Sequence, residues 1–217
     1  METAGLSDRI AARGRLAGVS VPGPLGGELA RYLKLLFRWN ERMNLTGLTD
    51  DDAGIDRLLV EPLVATGWLS VGPLRLVDIG SGGGSPAVPM RLVRPDVRLQ
   101  MVESKGRKAA FLREAVRHLA LTGARVESRR YEELAAGLGE GDRADVVTVR
   151  AVRVDEVGFR ALAALLAEDG RLFLFEGQGT GREDGAAAGF EVEGTFPLVE
   201  SLQSRLSIWR KGKYKAK

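Results

Sequence analysis

The chain has 217 residues, no cysteine and one histidine, and 44% of its residues are hydrophobic. This length and composition are typical of a soluble globular protein with a sizeable core. Without cysteine there is no disulfide, thiolate metal site or cysteine nucleophile, and the single His118 disfavours a histidine zinc site or a Ser-His-Asp triad. We therefore expect no bound metal.

The ends of the chain indicate where it works and what it contacts. No apolar run approaches the ~20 residues of a membrane helix, and the first residues are charged where a secretory signal would be apolar, so we expect a cytoplasmic protein with no membrane segment. From residue 205 onward there is no Asp or Glu. Such a basic end attracts nucleic acid or ribosomes, although a solvated tail would have the same composition; its residues are Arg205, Arg210, Lys211, Lys213, Lys215 and Lys217.

The first 73 residues have the pattern of helices. Leu29, Leu33 and Leu36 recur at helical spacing in a helix that ends before residue 44. A second helix is expected over about residues 53–68, with Pro62 as a kink or boundary. We assign residues 1–73 to an N-terminal helical segment that packs on the rest of the chain.

From residue 74 to 217 strands and helices alternate, which predicts an α/β fold with a mostly parallel, Rossmann-like sheet. The last two strands are close enough to pair as an antiparallel edge. This closing pair separates a methyltransferase-type sheet from a plain dinucleotide-binding one. The predicted strands are 74–79, 97–103, 124–130, 144–152, 170–177, 190–199 and 203–210, with helices ending near residue 93 and spanning 105–121 and 155–167.

A glycine-rich loop follows the first strand, in the sequence RLVDIGSGGGSPAVPM. Asp78 lies in the strand, and Gly80, Gly82 and Gly84 would let the backbone turn sharply and approach a ligand closely. Open α/β sheets bind nucleotide-like ligands at such loops, although an ordinary glycine-rich turn has the same composition. Glu103 closes the second strand 23 positions after Gly80 and could accept both hydroxyls of a ribose.

Dinucleotides and S-adenosylmethionine both use such a loop with a later acidic residue. The dinucleotide fingerprint has a third glycine where this chain has Ser85, and Pro86 removes an N–H donor that a pyrophosphate needs. S-adenosylmethionine has no phosphate, so it is the favoured cofactor. Tyr131 and Glu132 follow the third strand and could frame its adenine. Arg150 ends the fourth strand beside the reactive end, where burial of an unpaired arginine would be costly.

Several segments together resemble the bacterial 16S rRNA guanine-N7 methyltransferase family, often called RsmG or GidB. They are RWNERMNLTGLT, LVDIGSGGGSPAVP, ESKGRKAAFLREAVRHLALTGARV, RRYEEL, VTVRAV and SRLSIWRK, and the resemblance covers roughly residues 31–211. It implies a class I S-adenosylmethionine-dependent methyltransferase with a seven-stranded sheet and an N-terminal helical segment. It also implies activity on N7 of a guanine and, as partner, 16S rRNA or the small ribosomal subunit. We expect a monomer.

The resemblance assigns roles to residues as well. Arg150 falls on the arginine that the family places beside cofactor and RNA, and it is the candidate catalytic residue. The expected cofactor-binding residues are Asp78, Gly80, Gly82, Gly84, Ser85, Glu103, Ser104, Tyr131, Glu132 and Arg150. The expected RNA-binding residues are Lys105, Arg107, Lys108, Arg129, Arg130, Arg205, Arg210 and Lys211.

Three positions depart from the family pattern. Ser85 replaces an apolar residue, and Leu58 and Glu61 replace a histidine and an aspartate. A shift to another RNA position or to a small-molecule substrate therefore stays open. Two further classes compete with a methyltransferase: a ribosome-binding protein without catalysis, and a dinucleotide oxidoreductase.

Overall fold

The computed structural model describes residues 3–177 and 189–212, and it confirms the predicted α/β class. The strands form one sheet in the order β3-β2-β1-β4-β5-β7-β6. Strands β1 to β5 run parallel, and β7 pairs antiparallel with both β5 and β6, as the closing pair predicted. The bounds are β1 (Arg75–Ile79), β2 (Arg98–Val102), β3 (Ala124–Glu127), β4 (Ala144–Arg150), β5 (Leu166–Glu176), β6 (Phe190–Pro197) and β7 (Arg205–Lys211).

The strand order creates a crevice at one edge of the sheet. β1 lies between β2 and β4, and Ile79 at its end is in register with Val102 and Val149. The chain moves outward from β1 to β2 and β3 and then returns to the other side of β1 as β4. The crevice at such a switch point, outside the carboxyl ends of the strands, is where sheets of this kind bind ligands.

Two strand boundaries differ from the prediction by three residues or more. The third strand was expected to reach residue 130 but ends at Glu127. β5 begins at Leu166, inside the predicted helix 155–167. Leu166 already pairs with Ala144, and a register shift follows before Arg171 pairs with Val146. This bulge adds residues to one strand only, which the apolar spacing of the segment does not reveal.

Helices cover both faces of the sheet. One core cluster contains Leu76 and packs under α1 to α6, and a second contains Val77 and packs under α7 and α8. No helix in the described ranges is both long and apolar enough to cross a bilayer. The bounds are α1 (Thr3–Leu16), α2 (Gly23–Met43), α3 (Asp52–Ile55), α4 (Glu61–Ala65), α5 (Ala87–Val93), α6 (Gly106–His118), α7 (Tyr131–Ala136) and α8 (Glu156–Leu165).

The N-terminal helices share the first core cluster with the sheet. Leu29, Leu33 and Leu36 of α2 are fully buried, and they belong to the same cluster as Leu76 and Leu99 from β1 and β2. The helical segment thus packs directly on the remainder of the chain. The boundary at residue 73 stays a prediction.

Residues 52–68, here called the support helix, change their winding along the way. A π-helical turn at Asp56–Val60 joins α3 to α4, and a 3-10 turn at Thr66–Trp68 ends the segment. The N–H of Glu61 donates to the carbonyl of Asp56, five residues earlier. Pro62 has no N–H, so it donates to no carbonyl in the turn before it. The expected kink is therefore a widened turn, and it leaves carbonyls that other donors can use.

A buried ion pair attaches α1 to the support helix. Arg13 Nε donates to Asp56 Oδ1 over 2.8 Å, and its Nη2 donates to the other carboxylate oxygen. Asp56 is 1% exposed and also accepts a hydrogen bond of 3.1 Å from Ser201 Oγ. One carboxylate thus connects the N-terminal helix, the support helix and the turn that precedes β7.

Replacing Arg13 tests the contribution of this pair. Arg13→Met leaves the Asp56 carboxylate buried without its counter-charge, and we expect the free energy of unfolding to fall by about 3 kcal/mol. Urea denaturation at neutral pH measures the change. Arg9→Met is the control, since it breaks pairs with the more exposed Asp50 and Asp52 and should cost less than about 1 kcal/mol. Equal losses for the two variants would contradict the assignment.

Candidate active site

The loop after β1 makes a turn that admits no side chain at its start. Gly80 has φ +66°, and a Cβ on it would lie 2.5 Å from Val152 Cγ2. The N–H groups of Gly80 and Ser81 donate to the carbonyl of Val102 at 2.9 and 3.2 Å, which continues the β1–β2 pairing. Gly84 also has positive φ, +88°. The glycines expected from the sequence therefore occupy positions where glycine is required.

Helix α2 supports this loop from below the sheet edge. Tyr32 Oη donates to the carbonyl of Gly83 over 2.6 Å. Burial raises the pKa of Tyr32 well above its usual value, so the phenol stays a donor. At the end of α2, Asn40 Oδ1 accepts from the N–H groups of Leu45 and Thr46 at 2.7 and 2.9 Å. The motif RWNERMNLTG thus shapes the segment that faces the glycine loop.

Glu103 lies at the carboxyl end of β2 beside the loop. It is 6% exposed, and its two carboxylate oxygens accept from the N–H groups of Gly82 and Lys105 at 3.0 and 2.8 Å. Each oxygen keeps a lone pair for a further donor. The carboxylate thus has a fixed orientation beside the glycine loop.

Two cavities meet at Gly80. The first, of about 260 Å³, lies over the ends of β1, β2 and β3, and the second, of about 390 Å³, lies between the glycine loop and the N-terminal helices. The lining of the first includes Ser104, Tyr131 and Glu132, three of the expected cofactor-binding residues. The second is lined by the loop and by Arg150, Lys108, Arg57, Leu45, Leu48 and Leu58. Because Gly80 lines both cavities, they adjoin at the carboxyl ends of the strands, and together they are here called the cleft.

Asp78 is a buried carboxylate just behind the cleft. It is 1% exposed, and its Oδ1 accepts from Thr148 Oγ1 over 2.6 Å. Its Oδ2 has no hydrogen-bond partner in the described part of the chain. Burial raises the pKa of Asp78 to about 6, although Thr148 opposes the shift. A cationic ligand in the cleft would stabilise the ionised form.

The raised pKa of Asp78 predicts how the free energy of unfolding changes with pH. The pKa of Asp78 in the folded protein is raised above the ordinary 3.8, so ionisation of Asp78 lowers the free energy of unfolding. This loss is absent below about pH 4, grows as the pH rises to about 6, and reaches about 3 kcal/mol above that. Asp78→Asn should therefore gain stability relative to the wild type as the pH rises from 4 to 7. Urea denaturation at several pH values measures it, with the exposed Asp169→Asn as control. A difference independent of pH would contradict the prediction.

Arg150 joins β4, the glycine loop and the support helix. Its Nη1 donates to the carbonyl of Arg57 at 2.6 Å, and its Nη2 donates to the carbonyl of Ser85 at 2.8 Å. The side chain of Ser85 in turn donates to the carbonyl of Leu58 at 2.6 Å. Both carbonyls of the support helix belong to the widened turn before Pro62. Ser85, which departs from the family pattern, thus has a defined structural role.

Glu61 supplies the charge that the buried Arg150 needs. It is fully buried; its Oε1 accepts from Arg57 Nη1 at 2.7 Å, and its Oε2 lies 3.7 Å from Arg150 Nη1. Burial lowers the pKa of Arg150, and the Glu61 carboxylate opposes that shift. The sequence indicated that Arg150 needs a partner. The structure identifies Glu61, one of the departures from the family pattern, as that partner.

The predicted RNA-binding residues divide between the two edges of the sheet. Arg205 is opposite Glu176 at the cleft edge, with 3.7 Å between the charged atoms. Arg210 is opposite Arg171 at the far edge, where it pairs with Glu193. Lys211 also lies at that far edge, whereas the cleft edge carries Lys105, Arg107, Lys108, Arg129 and Arg130. Lys213, Lys215 and Lys217 lie outside the described residues.

Three residues of the site were not singled out from the sequence. Tyr32 and Asn40 contact the loop and the segment facing it only through the packing of α2, and Asn40 lies in the motif quoted for the resemblance. Arg57 lines the second cavity and pairs with Glu61. Its spacing of four residues from Glu61 on one helix was the available indication.

The strand order and its closing antiparallel pair define the fold of S-adenosylmethionine-dependent methyltransferases. Solved structures that share the fold include a mutant of MtNAS in complex with S-adenosylmethionine (TM-score 0.59, 17% identity, 98% of this chain and 93% of that chain). A SAM-dependent methyltransferase from Aquifex aeolicus also shares it (TM-score 0.58, 13% identity, 74% of this chain and 93% of that chain). The same fold also occurs in the [4+2]-cyclase SpnF (TM-score 0.61, 15% identity, 85% of this chain and 94% of that chain). Fold alone therefore does not identify the reaction.

Sequence comparison identifies the family. The profile described as rRNA small subunit methyltransferase G matches residues 27–189. Proteins named ribosomal RNA small subunit methyltransferase G from Xanthomonas axonopodis pv. citri and Chloroflexus aggregans are 37% and 39% identical, over 91% and 74% of this chain and 92% and 67% of theirs. The chain belongs to this family. It is a methyltransferase of small-subunit rRNA with S-adenosylmethionine as its cofactor.

Proposed function

We propose that the enzyme transfers the methyl group of S-adenosylmethionine to N7 of one guanine in 16S rRNA. The observation that carries the proposal is the pair of adjoining cavities at Gly80, one lined by Ser104, Tyr131 and Glu132 and the other by cationic side chains. The oriented carboxylate of Glu103 lies beside the glycine loop between β1 and α5. A nucleoside cofactor fits the first cavity and a base fits the second. Membership of the small-subunit rRNA methyltransferase family supports the choice of RNA.

The glycine loop, its buried neighbours and the residues around the first cavity fit the cofactor. We propose that Gly80, Gly82 and Gly84 let the backbone approach it and that the oriented carboxylate of Glu103 accepts the ribose hydroxyls. Tyr131 and Glu132 would hold the adenine, with Ser104 beside them, and Asp78 and Ser85 would complete the site. When bound, S-adenosylmethionine supplies an electrophilic methyl group.

The protein's part in the reaction is to position groups and to exclude water. N7 of guanine has a lone pair and no proton, so no general base is required. The cavity beside the glycine loop has apolar walls at Leu45, Leu48 and Leu58, which suit the faces of a base that has left its stack. Arg150 would act as the residue that holds the support helix, the loop and β4 in register at the reacting end. Correct placement by such groups accounts for large rate factors.

We propose that the RNA backbone crosses the cleft edge of the sheet. Lys105, Arg107, Lys108, Arg129 and Arg130 surround the cleft there, and Arg205 lies at the same edge. Arg210 and Lys211 lie at the other edge, away from this path of the RNA. We also propose that the protein is a cytoplasmic monomer. Among the described residues, the large exposed apolar side chains, such as Leu16 and Val157, lie on different elements and form no continuous patch.

Mapping of N7-methylguanine tests the proposed function. Chemical cleavage at N7-methylguanine in 16S rRNA, from cells with and without the gene, should show one position that loses its modification. Purified enzyme with S-adenosylmethionine should restore it on 16S rRNA or on small subunits lacking it. Activity on a small molecule without RNA, or methylation at another atom of the base, would favour a different substrate.

Loss of the Glu103 carboxylate should weaken cofactor binding. Glu103→Ala removes a charged acceptor for the ribose hydroxyls, and such hydrogen bonds contribute about 1.5–3 kcal/mol, so we expect the dissociation constant of S-adenosylmethionine to rise at least about tenfold. Calorimetric titration measures it. Glu133→Ala removes an equal charge nearby from an exposed side chain and should leave the constant unchanged. An equal rise of the dissociation constant in both variants would show that cofactor binding depends on net charge and not on the Glu103 carboxylate.

A matched pair of arginines tests which edge faces RNA. Arg130 and Arg210 are similarly exposed, 70% and 62%, and each pairs with a glutamate. Arg130→Ala should lower the slope of log K against log salt for RNA binding by about 0.7, as expected for one lost phosphate contact to a single strand. Arg210→Ala should leave the slope as it is. The reverse result would place the RNA at the far edge.

A further inference from the structure

The cavity beside the glycine loop contains cationic donors and no carboxylate among its described lining residues. The charged residues of that lining are Arg57, Lys108 and Arg150, and the rest is glycine, serine, threonine, alanine or leucine. Arginine and lysine donate hydrogen bonds and accept none. The charged groups of this lining are therefore donors, and a base atom that faces one of them must be an acceptor.

Arg57 and Arg150 differ in what their donors are used for. Both Nη groups of Arg150 donate to backbone carbonyls, and its side chain is 12% exposed. Arg57 is 27% exposed and uses Nη1 for Glu61. Within residues 3–177 and 189–212, no acceptor takes a hydrogen bond from its Nε or Nη2. Arg57 is thus the guanidinium that can still donate to a substrate.

Guanine and adenine differ at the atom next to N7. Both bases have N7, but guanine has the acceptor O6 beside it, whereas adenine has an amino group, a donor. A fixed donor beside N7 therefore favours guanine, and adenine there would leave two donors facing each other without an acceptor. We infer that Arg57 donates a hydrogen bond to O6 of the target guanine and selects guanine over adenine. This inference rests on the proposed function.

Glu61 is the positioning residue for this contact. Its fully buried carboxylate accepts from Arg57 Nη1 and lies near Arg150, so it fixes one side of the Arg57 fork while the other side stays available. Lys108 also lines the cavity, but it has a flexible stem, and none of the described carboxylates pairs with it. A point charge on a flexible stem binds anions without reading a particular base atom. Lys108 is therefore the matched control for Arg57.

The experiment compares binding of GMP and AMP to protein loaded with S-adenosylhomocysteine, followed by NMR of the backbone amides and of the arginine Nε–H groups. Wild-type protein should bind GMP more tightly than AMP and shift the Nε–H signal of Arg57. Arg57→Gln should reduce the ratio of the two affinities about tenfold or more, because an amide can accept from adenine and can still donate to Glu61. Arg57→Lys, whose ammonium Glu61 would still hold, should keep part of the preference. Lys108→Gln should weaken both ligands equally.

Further outcomes separate specificity from structure. Glu61→Gln should give a ratio of GMP to AMP affinity that lies between those of the wild type and Arg57→Gln. If Glu61 were merely structural, this ratio would stay at the wild-type value. The same variants are then compared on small subunits with guanine or adenine at the mapped position, and Arg57→Gln should lower the guanine preference in kcat/KM by a similar factor. The inference is overturned if Arg57→Gln keeps the wild-type ratio, or if Lys108→Gln changes it as much. A guanine preference that depends on Arg57, without N7-methylguanine in 16S rRNA, would overturn the proposed function alone.

Discussion

Two backbone carbonyls, those of Arg57 and Leu58, join the N-terminal helices to the cleft. They accept from Arg150 Nη1 and Ser85 Oγ, and they are available because Pro62 contributes no N–H to the widened turn before it. A regular helix would use those carbonyls internally. The support helix forms one wall of the second cavity. Its position therefore depends on two carbonyls that lack a donor within the helix and that accept instead from β4 and the glycine loop.

The same region carries buried charge that the fold must compensate. Glu61 lies between two guanidinium groups, and Asp78 lies behind the loop with one oxygen unpaired in the described structure. Buried charges that are only partly paired cost stability. Such groups are typical of sites that act on a ligand, and both of these lie beside the cleft. These buried charges thus lower the stability of the folded protein, and in return they fix the orientation of donors and acceptors beside the cleft.

The fold distributes the basic residues in a way that linear order hides. Arg205 and Arg210 are five positions apart, yet β7 runs antiparallel to β5 and carries them to opposite edges of the sheet. Arg129 and Arg130, far away in sequence, share the cleft edge with Lys105 because the parallel strands β2 and β3 end there. A basic cluster in a sequence therefore describes composition, and the direction of each strand decides which charges can act on one substrate.

The sequence alone determines the class of fold and the glycine loop with Glu103, because these depend on local patterns: apolar periodicity, and glycine where the backbone turns sharply. It also determines the family, because the matching motifs are spread over most of the chain. Arg150 was also predicted, since an arginine in an apolar strand is conspicuous. The folded molecule was needed to show that Arg150 uses both Nη groups on backbone carbonyls and that Ser85 and Glu61 complete its surroundings. It was also needed to show that Arg57 pairs with Glu61 and lines the cavity. The hydrogen bonds of Arg150 and Ser85 join residues 27 to 93 positions apart, and partners at such separations leave no periodicity in the chain.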